Sequence, residues 1–78
     1  MTLQDWMKVR KVTQVEIAAR LEITAQAVTN KYRNGKFYLN EVRTLRDVLG
    51  ISLEQTIDAI EAQKNYFEKL KNYDKLQS

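Results

Sequence analysis

The chain has 78 residues, the length of one small domain. It contains no cysteine and no histidine, which excludes disulfides, thiolate nucleophiles and histidine-based catalysis or metal ligation. It also lacks paired acids at a predicted cleft and a glycine-rich phosphate loop, so we expect no enzymatic activity, no cofactor and no bound metal. The net charge of +3 is by itself weak support for a polyanionic partner.

The positive charge is concentrated in one part of the chain. Residues 1–50 carry nine Lys and Arg against five Asp and Glu, whereas residues 51–78 carry four against five. Within residues 31–46, five basic side chains accompany one acid. This cluster fits a phosphate-facing surface, although an ordinary solvated surface explains the charge equally well. No apolar run approaches the roughly 20 residues of a membrane span, and no signal-peptide pattern is present, so we expect a cytoplasmic protein without a membrane partner.

Apolar spacing and capping residues predict the first two helices. Apolar residues three and four positions apart predict a helix over about 2–11. Thr13 followed three residues later by Glu16 forms a capping-box pattern, which predicts a second helix over 14–21. The side chains expected to face inward from this second helix are Ile17, Ala18 and Leu21.

Two further helices follow from capping residues. Thr24 is a candidate N-cap for a helix over 25–33, and Gly35 is suited to end it because glycine tolerates the left-handed conformation. Asn40 is the candidate N-cap of a fourth helix over 41–49. The inward-facing residues of that fourth helix are expected to be Val42, Leu45, Val48 and Leu49.

The last helix is predicted to be the longest. Gly50 stands where a helix-ending glycine belongs, and Ser52 with Gln55 forms another capping box that opens a helix over about 53–75. Its first apolar stripe is expected to pack on the core through Leu53, Ile57 and Ile60. Five helices with short connections predict a compact all-α domain.

The run TQVEIAARLEITAQAVTN, which begins at Thr13, resembles the Cro/lambda-repressor-like helix-turn-helix family. The stretch LRDVLGIS, which begins at Leu45, resembles the fourth helix and following turn of the same family. The resemblance covers about residues 3–58 and implies a compact five-helix lambda-repressor-like domain. Residues 1–52 would form its DNA-binding core. Most of the long C-terminal helix lies beyond the resemblance; the segment 53–78 is expected to pack on that core and is a candidate for dimerisation.

The second helix of this motif is the candidate recognition helix. One of its faces is polar with small gaps, and it carries Ala25, Gln26, Thr29, Asn30 and Arg33. Glutamine and asparagine pair bidentately with adenine, arginine pairs with guanine, and methyl groups contact thymine. By the resemblance, the first four of these residues meet base edges in the major groove, whereas Arg33 reaches either a base or a phosphate. The alternative is an ordinary exposed helix surface.

Phosphate contacts are expected around the recognition helix. By the resemblance, Gln14 at the start of the first motif helix meets the DNA backbone, aided by the helix dipole. The residues assigned to phosphates as a group are Gln14, Thr24, Lys36, Tyr38, Asn40 and Arg43. Taken one at a time, the residues beyond the recognition helix are equally well explained as ordinary surface residues.

Two residues depart from the family pattern. Glu22 stands where the turn commonly has glycine, and because a left-handed non-glycine residue costs on the order of 1 kcal/mol, we expect the turn to differ slightly. Lys31 stands where an apolar residue is usual. We expect Tyr32 or Phe37 to fill that space while the aliphatic stem of Lys31 lies along apolar surface.

The C-terminal helix carries a second apolar group. Its members, at spacings of one, three and four, are Tyr66, Phe67, Leu70, Tyr73 and Leu76. An exposed apolar stripe marks an interface, which predicts that this helix mediates homodimerisation or binds another protein. The alternative is that the helix folds back over the domain.

Together these features predict a sequence-specific regulator of transcription that binds double-stranded DNA. The size and the motif resemble small phage or mobile-element regulators of the Cro kind, which suggests a dimeric repressor that associates with the nucleoid when bound. The alternative is a protein-interaction module on the same fold, an anti-repressor or modulator that binds another regulator or host protein.

Overall fold

A computed structural model describes the backbone of residues 1–77 and the side chains of residues 1–72. The chain forms five α-helices and, within residues 1–77, no strand. The helices are α1 (Leu3–Arg10), α2 (Gln14–Leu21), α3 (Ala25–Asn34), α4 (Leu39–Leu49) and α5 (Leu53–Gln77). The all-α prediction is confirmed. No helix in the described part of the chain has the length and apolarity needed to cross a membrane.

Local side-chain caps explain where most helices begin. At α2, Glu16 N–H donates to Thr13 Oγ1 at 3.2 Å, and the Glu16 carboxylate accepts from Thr13 N–H at 3.4 Å, so the predicted capping box is confirmed. Ser52 and Gln55 form the same reciprocal pair before α5. A capping box that the sequence analysis missed starts α1, where Asp5 N–H donates to Thr2 Oγ1. The hydrogen bonds from Thr2 to the Asp5 carboxylate lower the pKa of Asp5.

The predicted start of α4 is wrong. Tyr38, not Asn40, is the N-cap residue, and Asn40 lies inside the first turn of the helix. The Glu41 carboxylate accepts a hydrogen bond from the backbone N–H of Tyr38 at 2.9 Å. The helix therefore begins two residues earlier than expected. It can begin there because the Glu41 carboxylate, at the third helical position, accepts the hydrogen bond of the backbone N–H of Tyr38.

The core lies where the five helices meet. Its fully or nearly buried apolar side chains are Leu3, Ile17, Ala18, Val28, Tyr32, Leu45, Leu49, Ala59 and Ile60. The predicted inward residues of α2 and α4 are confirmed, with Leu21, Val42 and Val48 half-buried against this cluster. Phe37 and Tyr32 both pack here, with ring centroids 6.2 Å apart, so the expected filling of the space near Lys31 is confirmed.

The predicted core face of α5 is partly wrong. Ile60 is buried, but Leu53 and Ile57 are 41% and 48% exposed. The side chains that face the core instead include two polar ones, Thr56 and Gln63. Burial of both is tolerated because each is hydrogen-bonded. Their bonds are Thr56 Oγ1 to Ser52 O at 2.8 Å, and Gln63 Oε1 accepting from Gln4 N–H at 3.0 Å.

Helix α5 folds back over the domain along much of its length. It packs against α1, α3 and α4, and Phe67 is half-buried against the core cluster. Tyr66 and Leu70 from the predicted partner surface are exposed. The side chains of Tyr73 and Leu76 lie outside the described residues. The alternative of a folded-back helix therefore holds as far as Phe67.

Burial of Tyr32 predicts a loss of stability at high pH. Its phenol is buried and donates to Met7 Sδ at 3.1 Å, and this burial raises the pKa of Tyr32 above its ordinary value of 10.0. The folded state holds the neutral phenol, while the unfolded chain releases the proton near pH 10. The contribution of the neutral Tyr32 phenol to the free energy of unfolding is therefore complete below pH 10 and declines as the pH rises further.

The test compares the wild type with Tyr32→Phe in urea denaturation between pH 8 and 11. By pH 11 the wild type is expected to lose on the order of 1 kcal/mol relative to the variant. Tyr66→Phe, at an exposed tyrosine, is the matched control and is expected to keep the wild-type pH profile. Parallel profiles for wild type and Tyr32→Phe would contradict the prediction.

Candidate nucleic-acid interface

A three-residue connection joins α2 to α3. Glu22 ends α2 in the left-handed conformation at φ 58°. The turn was expected to differ because glycine is missing, but the backbone adopts the left-handed conformation even with glutamate at this position. Ile23 N–H then donates to Ala18 O at 3.0 Å, and Thr24 Oγ1 accepts from Ala27 N–H at 3.0 Å. The connection closes one helix and caps the next, and Ala18 is buried in the core. Two short helices therefore follow each other across a tight, hydrogen-bonded turn.

Glycine at position 22 is expected to stabilise the domain. Glu22→Gly removes the steric cost of a left-handed side chain, partly offset by the greater freedom of glycine in the unfolded chain, for a net gain of about 0.5 kcal/mol. Thermal unfolding should then shift upward by about 2–4 °C. Ala19→Gly, an exposed position inside α2, is the control and should lower the unfolding free energy by about 1 kcal/mol. A lower melting temperature for Glu22→Gly would contradict the prediction.

Helix α3 has two sharply different faces. Its inner face carries Val28 and Tyr32, which are fully buried. Its outer face carries Ala25, Gln26 and Asn30, which are exposed. The Gln26 and Asn30 side chains lie one turn apart, and Gln26 Nε2 donates to Asn30 Oδ1 at 3.4 Å. The long separation marks a weak bond, so both amides remain available to an outside partner.

Gln14 fixes the start of α2 against the start of α3. Its Nε2 donates to Ala25 O at 2.9 Å and to Thr29 Oγ1 at 2.6 Å. The Thr29 hydroxyl in turn donates to Ala25 O at 3.3 Å. Both polar side chains are half-buried. Thr29 therefore uses its hydroxyl within the domain, and what it offers to a partner is its methyl group.

Arg33 lies against α5. Its guanidinium carbon is 5.6 Å from the centroid of the Phe67 ring, a cation–π distance. The side chain is exposed, so Phe67 supports it without burying it. Phe67, expected on a partner surface, instead makes this supporting contact within the domain. No local signal predicts it, because the two residues are 34 positions apart.

Two members of the basic cluster are paired within the domain. Lys31 Nζ lies 3.0 Å from Glu41 Oε1, and Arg46 Nε lies 3.1 Å from Asp47 Oδ1. The Lys31 side chain is only 19% exposed, and its Nζ is 5.0 Å from the Tyr38 ring centroid. Its ammonium is therefore held within the domain by Glu41 and this ring. The cluster therefore presents less charge to a partner than its composition suggests.

The remaining predicted phosphate residues are all exposed. Their side chains are those of Thr24, Lys36, Tyr38, Asn40 and Arg43. Thr24 uses its hydroxyl to cap α3, and the Tyr38 ring covers Lys31. Lys36 follows the end of α3, with its backbone N–H donating to Asn34 Oδ1 at 2.8 Å. Of this group, Lys36 and Arg43 combine an exposed position with positive charge.

Comparisons of the chain with protein-family models, with curated proteins and with solved structures found no match.

Proposed function

We propose that the chain is a sequence-specific regulator of transcription that binds double-stranded DNA, a Cro-like repressor of phage or mobile-element type. Helix α3 enters the major groove in this proposal, and residues 25–33 meet the bases. Bound to an operator, the protein would exclude the polymerase and act at the nucleoid in the cytoplasm.

One observation carries the proposal, the division of α3 into a buried and a polar exposed face. Val28 and Tyr32 anchor α3 in the core, whereas Ala25, Gln26 and Asn30 on its outer face are exposed. That side offers the amides of Gln26 and Asn30, whose donor and acceptor pattern matches adenine in the major groove. It offers no large apolar or aromatic side chain of the kind that fills the buried centre of a protein–protein interface.

The start of α2 supports the same orientation. The Gln14 side chain joins the first turns of α2 and α3, so the N-terminal amides of α2 lie beside the end of α3 that would meet the bases first. A helix N-terminus attracts phosphate through its free N–H groups and its dipole. Lys36 and Arg43 would add charge contacts beyond the other end of α3.

We further propose that the protein binds as a homodimer. A single recognition helix covers one half-site, and two half-sites lie about 34–36 Å apart along the duplex. Tyr66, an exposed apolar side chain in the C-terminal half of α5, is the candidate dimer contact, whereas Leu70, although exposed, borders a cleft between α3 and α5. Size-exclusion chromatography with light scattering tests this proposal, and a monomer at high micromolar concentration would contradict it.

Selection of bound sequences from a random duplex library tests the function itself. At about 100 mM salt, a short enriched motif is expected, because base contacts then add to a moderate non-specific affinity. A palindrome with half-sites about 10 base pairs apart would support the dimer as well. Weak, salt-sensitive binding to all sequences without enrichment would contradict the proposal and favour a protein-interaction module.

A further inference from the structure

A cleft of about 890 Å³ separates the C-terminal half of α3 from the C-terminal half of α5. Asn30 and Arg33 line it from α3, and Phe67, Glu68 and Lys71 line it from α5. Two of these residues, Asn30 and Arg33, also belong to the face of α3 that we assign to the DNA bases. Helix α5 therefore borders that face directly.

Helix α5 carries two lysines, Lys64 and Lys71, on the side that faces α3; we call this pair the lysine row. Lys64 and Lys71 are seven residues apart, which places them on one side of the helix two turns from each other. Lys64 lies close against the end of α3, since a Cβ added to Gly35 would be 3.0 Å from Lys64 Cδ. Lys69 lies about 160° around the helix from Lys71. The lysine row is thus specific to the α3 side of α5.

Among the described residues that line the cleft, the acid is Glu68. Its Oε1 is 4.0 Å from Lys64 Nζ, a long and exposed ion pair. Such a pair contributes little to stability, so Lys64 remains available to a stronger anion. In the part of the chain whose side chains are described, the cleft thus combines the cationic side chains of Arg33 and Lys71 with the amide of Asn30 and the carboxylate of Glu68.

We propose that the lysine row, Lys64 and Lys71, contacts the sugar-phosphate backbone that borders the major groove beside the C-terminal end of α3. The groove is about 12 Å wide, so a helix inserted in it lies between two phosphate backbones. The N-terminal amides of α2 meet one of them, and α5 meets the other. The C-terminal helix is then a part of the DNA interface that lies outside the helix-turn-helix.

This inference depends on the proposed function, and its test separates the two. Binding of a selected duplex and of a scrambled duplex is measured by fluorescence anisotropy over a range of salt concentrations. Lys71→Gln is expected to weaken both duplexes about 3- to 10-fold and to reduce the slope of log K against log salt by about one. Lys64→Gln should act in the same direction.

Two variants make the test directional. Lys69→Gln removes the same charge from the opposite side of the same helix and is expected to change affinity by less than about 2-fold. Glu68→Gln removes the acid from the cleft and is expected to raise affinity about 2- to 5-fold. Circular dichroism of each variant confirms that it is folded.

The outcomes are distinct. If the wild type binds a selected duplex but Lys71→Gln and Lys64→Gln match Lys69→Gln, the lysine row is not a DNA contact and the proposed function stands. If removal of the lysines raises affinity, α5 obstructs DNA and the inference is wrong. If the wild type binds no duplex at all, the proposed function fails, and this inference fails with it.

Discussion

Replacing Asn30 with alanine is expected to lower the affinity for the selected DNA site by about 5- to 150-fold, or 1–3 kcal/mol. Asn30 is exposed on the outer face of α3 and holds only a weak bond to Gln26 in the free protein. In the complex its amide would pair with a base edge, and alanine would leave that edge without a partner. Gln26→Ala is expected to have an effect of the same size.

The loss should depend on sequence. Affinity of Asn30→Ala for a scrambled duplex should stay near the wild-type value, because amides that contact bases add little to non-specific binding. Asn65→Ala, an exposed amide on α5, is the matched control and should bind both duplexes as the wild type does. Lys36→Ala should weaken both duplexes alike and reduce the salt slope by about one. Unchanged specific binding in Asn30→Ala and Gln26→Ala together would refute the assignment of this face.

Replacing Glu41 with alanine is expected to lower the free energy of unfolding by about 3 kcal/mol. The Glu41 side chain is only 8% exposed and accepts from both Lys31 Nζ and the backbone N–H of Tyr38. Its loss leaves a largely buried ammonium and the N-cap N–H of α4 without their acceptor, and removal of one partner from a buried pair is strongly destabilising. In a small domain, that change is a large share of the total stability.

Urea denaturation followed by circular dichroism measures this effect. The control is Asp47→Ala, which removes the acid of the exposed Arg46–Asp47 ion pair. It is expected to lower the free energy of unfolding by less than about 1 kcal/mol. Lys31→Ala combined with Glu41→Ala should cost less than the sum of the two single variants, because the double variant leaves no unpaired charge. Equal effects of Glu41→Ala and Asp47→Ala would show that the buried pair has no special role.

Local signals predicted most of the fold. The bounds of α2 and the first residue of α3 follow from Thr13 and Thr24, whose hydroxyls accept from backbone N–H groups three residues later. Gly35 and Gly50 end their helices in the left-handed conformation, as expected. These features depend on chemistry within three or four residues, which a sequence displays directly.

The main error, the choice of the core face of α5, arises because contacts with distant parts of the chain determine which side of the helix is buried. Leu53 and Ile57 fit an inward stripe by hydropathy, yet α5 is rotated so that Thr56 and Gln63 face the core. The deciding bond for Gln63 comes from Gln4, which is 59 residues away. Periodicity is insensitive to such a distant partner. The start of α4 is the exception, because it is set by a local bond from Tyr38 N–H to the Glu41 carboxylate, and tyrosine is not a favoured N-cap residue.

The candidate site shows the same division. Exposure of Gln26 and Asn30 follows from the helical period of α3, and the sequence analysis anticipated it. The use of Thr29 by Gln14, and the support of Arg33 by Phe67, required the packing of separate helices. Which residues face outward was predictable, whereas which of them are already engaged was not.

The residues of α3 that stabilise the core and the residues that would contact DNA lie on different faces of the helix. Val28 and Tyr32 are constrained by the core, whereas Ala25, Gln26 and Asn30 touch little of it and are free to change. Under the proposed function, a lineage could acquire a new operator by substitution at these outer positions while its thermal stability stayed constant. Such domains are suited to rapid diversification, and the outer positions are the natural ones to randomise in a library of designed specificities.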